Sequence, residues 1–286
     1  MRQLKLTAVG SSALVAREIA ALLQSMLPRG CEIGTALTEE VDRAQADTFY
    51  VCAGTQRKAL LEVLPPEVLY VLDLEPSTRF FLALAQLPPG SEVVIFNNRL
   101  PYTTTLKEKC RALGLGHYHF VALAFEEMPH SEVRAILSEA RYIMGVSCFT
   151  GEEALLSDNY RDCLRKDVRI IDAQRAASLP SAARLLGGIA LFGTKALEDA
   201  ASELQALPAE QRESAQTELL ARSTAFIAML KQATLRALTT LIEGSFREGG
   251  TLTAQSTPLP QTVEGCLAML GFLRDRLDFL GGRALS

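Results

Sequence analysis

The six cysteines of this 286-residue chain, at positions 31, 52, 110, 148, 163 and 266, include no C-x-x-C pair. Neither a zinc knuckle nor a thioredoxin-type dithiol is therefore encoded. Several lie in apolar runs such as Val51-Cys52-Ala53 and Ser147-Cys148-Phe149, where cysteine acts as a small hydrophobe. Scattered reduced thiols imply a cytoplasmic protein. A signal-type apolar stretch is also missing, because Met1-Arg2-Gln3-Leu4-Lys5 leads straight into a strand-like run. The most apolar long window, residues 221–242, carries Arg222, Lys231 and Arg236, which excludes a membrane span there. An excess of basic charge is lacking too. A net charge of -4 and a pI near 5.6 give no electrostatic reason to bind nucleic acid directly.

Catalytic signatures are equally scarce. The chain contains no G-x-S-x-G elbow, no H-E-x-x-H and no cysteine with a matched histidine motif, so no catalytic residue is assigned. No Walker A loop is present, and after Gly10 no second glycine arrives until Gly30, which rules out the dinucleotide fingerprint. No cofactor is expected. His117 and His119 flank Tyr118 on an expected strand, with Glu126, Glu127 and His130 nearby in sequence. A third ligand at diagnostic spacing is missing, and no metal site is assigned.

What is present is a twofold alternation of short apolar runs with helical patterns. Residues 4–9, 31–37, 48–53 and 68–74 read as strands, with helices at 13–27 and 55–64. Apolar runs separated by helices imply a parallel sheet covered on both faces. Leu87-Pro88-Pro89-Gly90 closes the helix around residues 80–84 and marks the expected internal boundary. A second cycle follows, with strands at 92–96, 117–123, 142–146 and 168–171 and helices at 104–113, 131–140 and 176–191. From residue 194 the pattern is helical. Ser223, Ile227, Leu230, Thr234, Ala237 and Leu241 form a seam in the stretch 209–246, able to pair with another helix or with its own domain. A polar linker reaches Pro260, and a last helix spans 263–280.

The expected architecture is α/β, with two Rossmann-like or flavodoxin-like parallel-sheet lobes at residues 1–90 and 91–192. A helical C-terminal arm at 193–286 would serve dimerisation or signalling. In such folds ligands collect at the carboxyl ends of strands. Gly10-Ser11-Ser12 occupies that position in the first lobe and Asn97-Asn98, with Thr104 close behind, in the second. Arg175 follows another strand and can clamp an anion bidentately, or else pair with Asp172. These seven residues are the expected ligand set, facing one cleft between the lobes.

Three segments carry a resemblance. Pro88-Pro89-Gly90-Ser91-Glu92-Val93-Val94-Ile95-Phe96-Asn97-Asn98, Ala140-Arg141-Tyr142-Ile143-Met144-Gly145 and Asp167-Val168-Arg169-Ile170-Ile171-Asp172-Ala173-Gln174-Arg175-Ala176 together look like a known sensory region. It is that of the RpoN-dependent, enhancer-binding transcription regulators, propionate-catabolism regulators among them. The likeness covers residues 66–190. It implies two α/β lobes that sense a small metabolite between them, and a helix that relays the signal to PAS, ATPase and DNA-binding modules. This chain shows no ATPase motif and no obvious helix-turn-helix before Ser286. It is therefore expected to be an isolated sensor, a segment of a longer regulator, or a relative put to another use.

The functional expectation is a regulatory domain that senses a small anionic metabolite and forms a homodimer through its C-terminal helices. An enzyme acting on a small anionic metabolite or nucleotide in the same cleft is the alternative, and an assembly module without ligand is the second.

Overall fold

The structure is a computed structural model that describes residues 4–27, 32–151, 154–173, 175–243 and 260–281. In chain order its elements are β1 (Lys5–Gly10), α1 (Ala13–Met26), β2 (Glu32–Leu37), β3 (Thr48–Ala53), α2 (Arg57–Leu60), β4 (Leu69–Leu72), β5 (Leu74–Pro76) and α3 (Thr78–Ala85). There follow β6 (Glu92–Asn97), α4 (Leu100–Ala112), β7 (His119–Ala124), α5 (His130–Glu139), β8 (Tyr142–Val146), α6 (Ser147–Thr150) and α7 (Leu155–Tyr160). The chain continues with β9 (Arg169–Ala173), β10 (Arg175–Ala177), α8 (Leu179–Ala206), α9 (Ala209–Glu243) and α10 (Val263–Leu280).

Eight of the strands form two parallel four-stranded sheets, in the orders β2-β1-β3-β4 and β7-β6-β8-β9. The expected α/β class is the one observed, and both orders are the doubly wound arrangement of flavodoxin-like folds. The central strands β3, β6 and β8 are buried along almost their whole length, as strands covered by helices on both faces must be. The edge strand β2, Glu-Ile-Gly-Thr-Ala-Leu, has no fully buried residue.

The chain divides into two compact units, residues 1–74 with 177–286 and residues 75–176. The boundary expected at residues 90/91 is not where the chain divides. Pro88-Pro89-Gly90 is a tight turn inside the second unit: Ser91 N–H donates to Pro88 O at 3.2 Å, and Gly90 sits at φ 78°, a backbone region that glycine enters at little cost. The helix before this turn shares its core with the strand after it, since Phe80, Leu84 and Leu87 pack with Val93 and Ile95. Two connections cross between the units, and β5 and β10, which span them, pair as a separate two-stranded ribbon. Each crossing carries a helix with it. The helix α3, which follows β4 and β5, packs on β9 in the second unit, whereas α8, which follows β9 and β10, packs on β4 in the first.

The C-terminal part is helical as expected, and its helices α8, α9 and α10 pack on one another, with α9 also meeting α1. Ser223, Ile227 and Leu230, half of the expected seam, are buried within the chain, together with Ala233. Thr234 and Ala237 are half-buried, and the side chain of Leu241 lies outside the described residues. An amphipathic helix must bury its stripe somewhere, and here the partner is the same chain. Smaller differences have local causes. The helix expected at 55–64 shrinks to the single turn α2, because Gly54–Gln56 tighten into a 3-10 turn and Pro65-Pro66 follow. The helix expected from Thr104 starts at Leu100, with Pro101 in its first turn, where proline costs nothing. His117 lies in a turn before β7, its ring tilted against that of Tyr118 with centroids 4.1 Å apart, so the two histidines do not share a strand. The polar linker before Pro260 and the end of the expected helical stretch beyond Glu243 lie outside the described residues. No helix among the described residues is long and apolar enough to cross a membrane.

Candidate functional site

In each sheet the winding reverses between the two central strands, β1 and β3 in the first and β6 and β8 in the second. The crevice outside the carboxyl ends at such a reversal is where open α/β sheets bind ligands.

In the first unit, Gly10 ends β1 and α1 starts directly above it. A β-carbon there would lie 2.3 Å from the Ala16 amide nitrogen, so only glycine lets the helix approach this closely. Ser12 caps α1, its hydroxyl accepting from Val15 N–H at 3.4 Å. It is thus spent on its own helix, a common use of serine at this position. Ser11 is exposed. Two residues that sequence reading passed over join the edge. Thr38, after β2, places its hydroxyl 3.1 Å from Gly10 O and 2.9 Å from Gln56 Oε1, and Gln56 follows β3. No local pattern marks them, since a threonine and a glutamine 18 residues apart meet only once the strands pair.

In the second unit, Asn97 and Asn98 are both buried. The Asn97 amide donates to Asn98 Oδ1 at 3.1 Å and to Arg99 O at 3.2 Å, while their carbonyls accept from Phe125 and Glu126 N–H. They chiefly hold the turn. The first amide of α4, Leu100 N–H, donates to Glu127 Oε2 at 3.0 Å, and Arg99 pairs with Glu126 at 3.3 Å. The anion position at the start of α4 is therefore taken by a carboxylate of the same chain. Thr104 points away from the turn, exposed and bonded back to Leu100 O at 3.3 Å. Arg175 is not paired with Asp172 by a salt bridge. Its guanidinium lies over the Tyr102 ring, 5.2 Å from the centroid, a cation–π arrangement.

Asp172 instead receives both Ser147 Oγ on Oδ2 and Thr150 Oγ1 on Oδ1, each at 3.1 Å. Gly145 makes this possible. A β-carbon there would fall 2.5 Å from both Phe96 O and Thr150 Cγ2, so the bare glycine lets α6 settle onto the sheet. Ser147, Thr150 and Asp172 form a polar group at the carboxyl ends of β8 and β9 that sequence reading did not assemble. Of the seven expected ligand residues, Gly10, Ser11 and Ser12 belong to the first unit, and Asn97, Asn98, Thr104 and Arg175 to the second.

Nucleophilic chemistry at the buried thiols is disfavoured. Burial pushes the Cys52 thiol up to about 12 and the Cys110 thiol up to about 11, so neither forms a thiolate near neutral pH. Among the described residues no group of three His, Cys, Asp or Glu side chains could hold a metal ion. Glu126, Glu127 and His130 are engaged with Arg99, the α4 amide and the Tyr160 ring respectively. Comparison with family models, curated proteins and solved structures found no match.

Proposed function

We propose that this protein is a cytoplasmic regulatory module that senses a small anionic metabolite at the carboxyl-terminal edge of its parallel sheets. This is the role implied by its resemblance to the sensory regions of enhancer-binding transcription regulators. The observation that carries the reading is the repeated strand order, with hydroxyl, amide and guanidinium groups gathered where each sheet reverses. Ser11, Thr38 and Gln56 stand at one reversal. Ser147 stands at the other, directly after β8, and Arg175 opens β10 after β9. Hydroxyl, amide and guanidinium groups of this kind donate hydrogen bonds to a carboxylate or phosphate.

A thermal-shift screen of organic acids, nucleotides and amino acids tests this. A cognate ligand at about a hundred times its Kd stabilises by ~2.7 kcal/mol. Arg175→Ala should abolish that shift while leaving the melting temperature of the free protein nearly unchanged. Turnover of the bound compound would make the protein an enzyme, and a silent broad screen would leave assembly as its role.

A further inference from the structure

The edge strands β4 and β9 occupy matching positions in the two sheets, and each is flanked by the helix that arrives from the ribbon. At the β4–α8 junction the polar groups are committed. Ser178 caps α8 by accepting from Ser181 N–H, Asp73 N–H donates to Ser181 Oγ at 3.1 Å, and Arg184 reaches Asp73 at 3.2 Å. The β9–α3 junction is built on the same plan and left open. Ser77 is the N-cap of α3 yet makes no capping bond. Among the described residues, neither its hydroxyl nor the guanidiniums of Arg79 and Arg169 make a hydrogen bond or ion pair.

These three side chains line one cleft of about 290 Å³ between α3 and β9, with Phe80, Ala83 and Ile171 as its apolar floor. That volume lies just below the roughly 300–1,000 Å³ typical of ligand clefts, enough for a small anion. Alternation along β9 puts Arg169 on the same face as Ile171, which packs with Phe80 of α3. Asp172 falls on the opposite face, where Ser147 and Thr150 occupy both of its oxygens. Ile170 and Asp172 also line the cleft, with their side chains alternating to the other face of β9, so the α3 side presents the two arginine cations. Arg169 N–H bonds to Arg141 O beside β8 at 2.9 Å, so Ile170 and Asp172 direct their backbone groups to the open edge of the strand.

We propose that this cleft binds a small carboxylate- or phosphate-bearing molecule, its anionic group held between Arg79 and Arg169 with the Ser77 hydroxyl as a further donor. The site shares no residue with the sheet-reversal set above, so either can hold without the other. Calorimetric titration of the full chain with succinate and with inorganic phosphate, at low ionic strength, tests it. Saturable binding of at least one probe is expected. Charge-assisted contacts are strong enough that Arg79→Gln or Arg169→Gln should each weaken binding roughly tenfold or more. Ser77→Ala should weaken it less, and Arg57→Gln, an exposed arginine of the other unit, should not change it. Both guanidiniums are exposed, so the variants should keep the wild-type circular dichroism. Absence of saturable binding by both probes would overturn the proposal. So would an affinity that survives both glutamine substitutions, including one lost only in Arg175→Ala, which would place the anion at the sheet-reversal set instead.

Discussion

The ring of Tyr70 on β4 lies directly against the backbone of Gly188 on α8: a β-carbon built on Gly188 would come within 1.9 Å of the tyrosine Oη and 2.4 Å of its Cζ. Tyr70 cannot simply swing aside, because its other side meets Phe49, with ring centroids 4.8 Å apart. One turn and a half further on, Gly193 admits the Phe226 ring of α9 in the same way. Two glycines thus set how closely α8 approaches its neighbours in the first unit.

Gly188→Ala and Gly193→Ala should each destabilise the protein by about 1–3 kcal/mol, the usual cost of overpacking, even though alanine is the better helix former. Gly271 on α10 is the internal control, since nothing lies within 4 Å of a β-carbon there. Gly271→Ala should be neutral or stabilising by up to ~1 kcal/mol. Urea unfolding of the three variants checks this, and equal effects at all three positions would refute the packing account.

Ile227 and Leu230 are fully buried within the single chain, so their substitution should act on folding rather than on association. Leu230→Ala should cost about 2–5 kcal/mol, and Ile227→Asp should abolish the cooperative transition by burying an unpaired charge. Light scattering alongside circular dichroism separates the outcomes. A folded monomer produced from a wild-type dimer by Ile227→Asp would show that this face pairs between copies. Otherwise a homodimer through the C-terminal helices, which the sequence leads one to expect, has to use other faces of these helices.

Glu127→Ala removes the carboxylate that accepts from the first amide of α4. Loss of a cap of this kind costs about 0.5–2 kcal/mol. Glu127→Gln keeps an acceptor oxygen in place and should recover part of that loss. Chemical denaturation with all three proteins measures the difference, and a Glu127→Ala variant as stable as wild type would mean the contact contributes nothing.

Alkaline pH should weaken the fold through its buried thiols. Cys52 and Cys110 are raised from 9.0 to about 12 and about 11 by burial. Between pH 9 and those values the unfolded chain releases protons that the folded chain keeps. Stability is therefore intact below pH 9 and falls above it, by up to about 1.4 kcal/mol per pH unit for each thiol. Cys52→Ala/Cys110→Ala should flatten this dependence. In the native state at pH 8 both thiols should resist alkylation, whereas the half-buried Cys148 and Cys163 should react first.

Strand and helix positions were largely legible because each rests on local pattern. Residues 48–53, 142–146 and 263–280 were read with the observed bounds, since apolar runs and turn residues report their own surroundings. The candidate site was legible only in part. Gly10 and the paired asparagines stand at the expected strand ends, yet Ser12 and Asn97 spend their polar atoms on local turns. Thr38 with Gln56, and Ser147 with Asp172, meet through strand pairing across 18 and 25 residues, and nothing local in the sequence signals such a meeting.

The sequence by itself determined the class, two rounds of strand and helix with parallel sheets buried on both faces, because periodicity and turn chemistry act over a few residues. Tertiary structure alone decided which helix covers which sheet. The turn at Pro88-Pro89-Gly90 has the composition of a domain boundary, but the apolar face of α3 finds its core on β9, and that of α8 finds its core on β4. Burial of apolar area is non-directional and indifferent to separation along the chain. The exchange of two helices between units is therefore set by which surfaces fit, and no local signal records it.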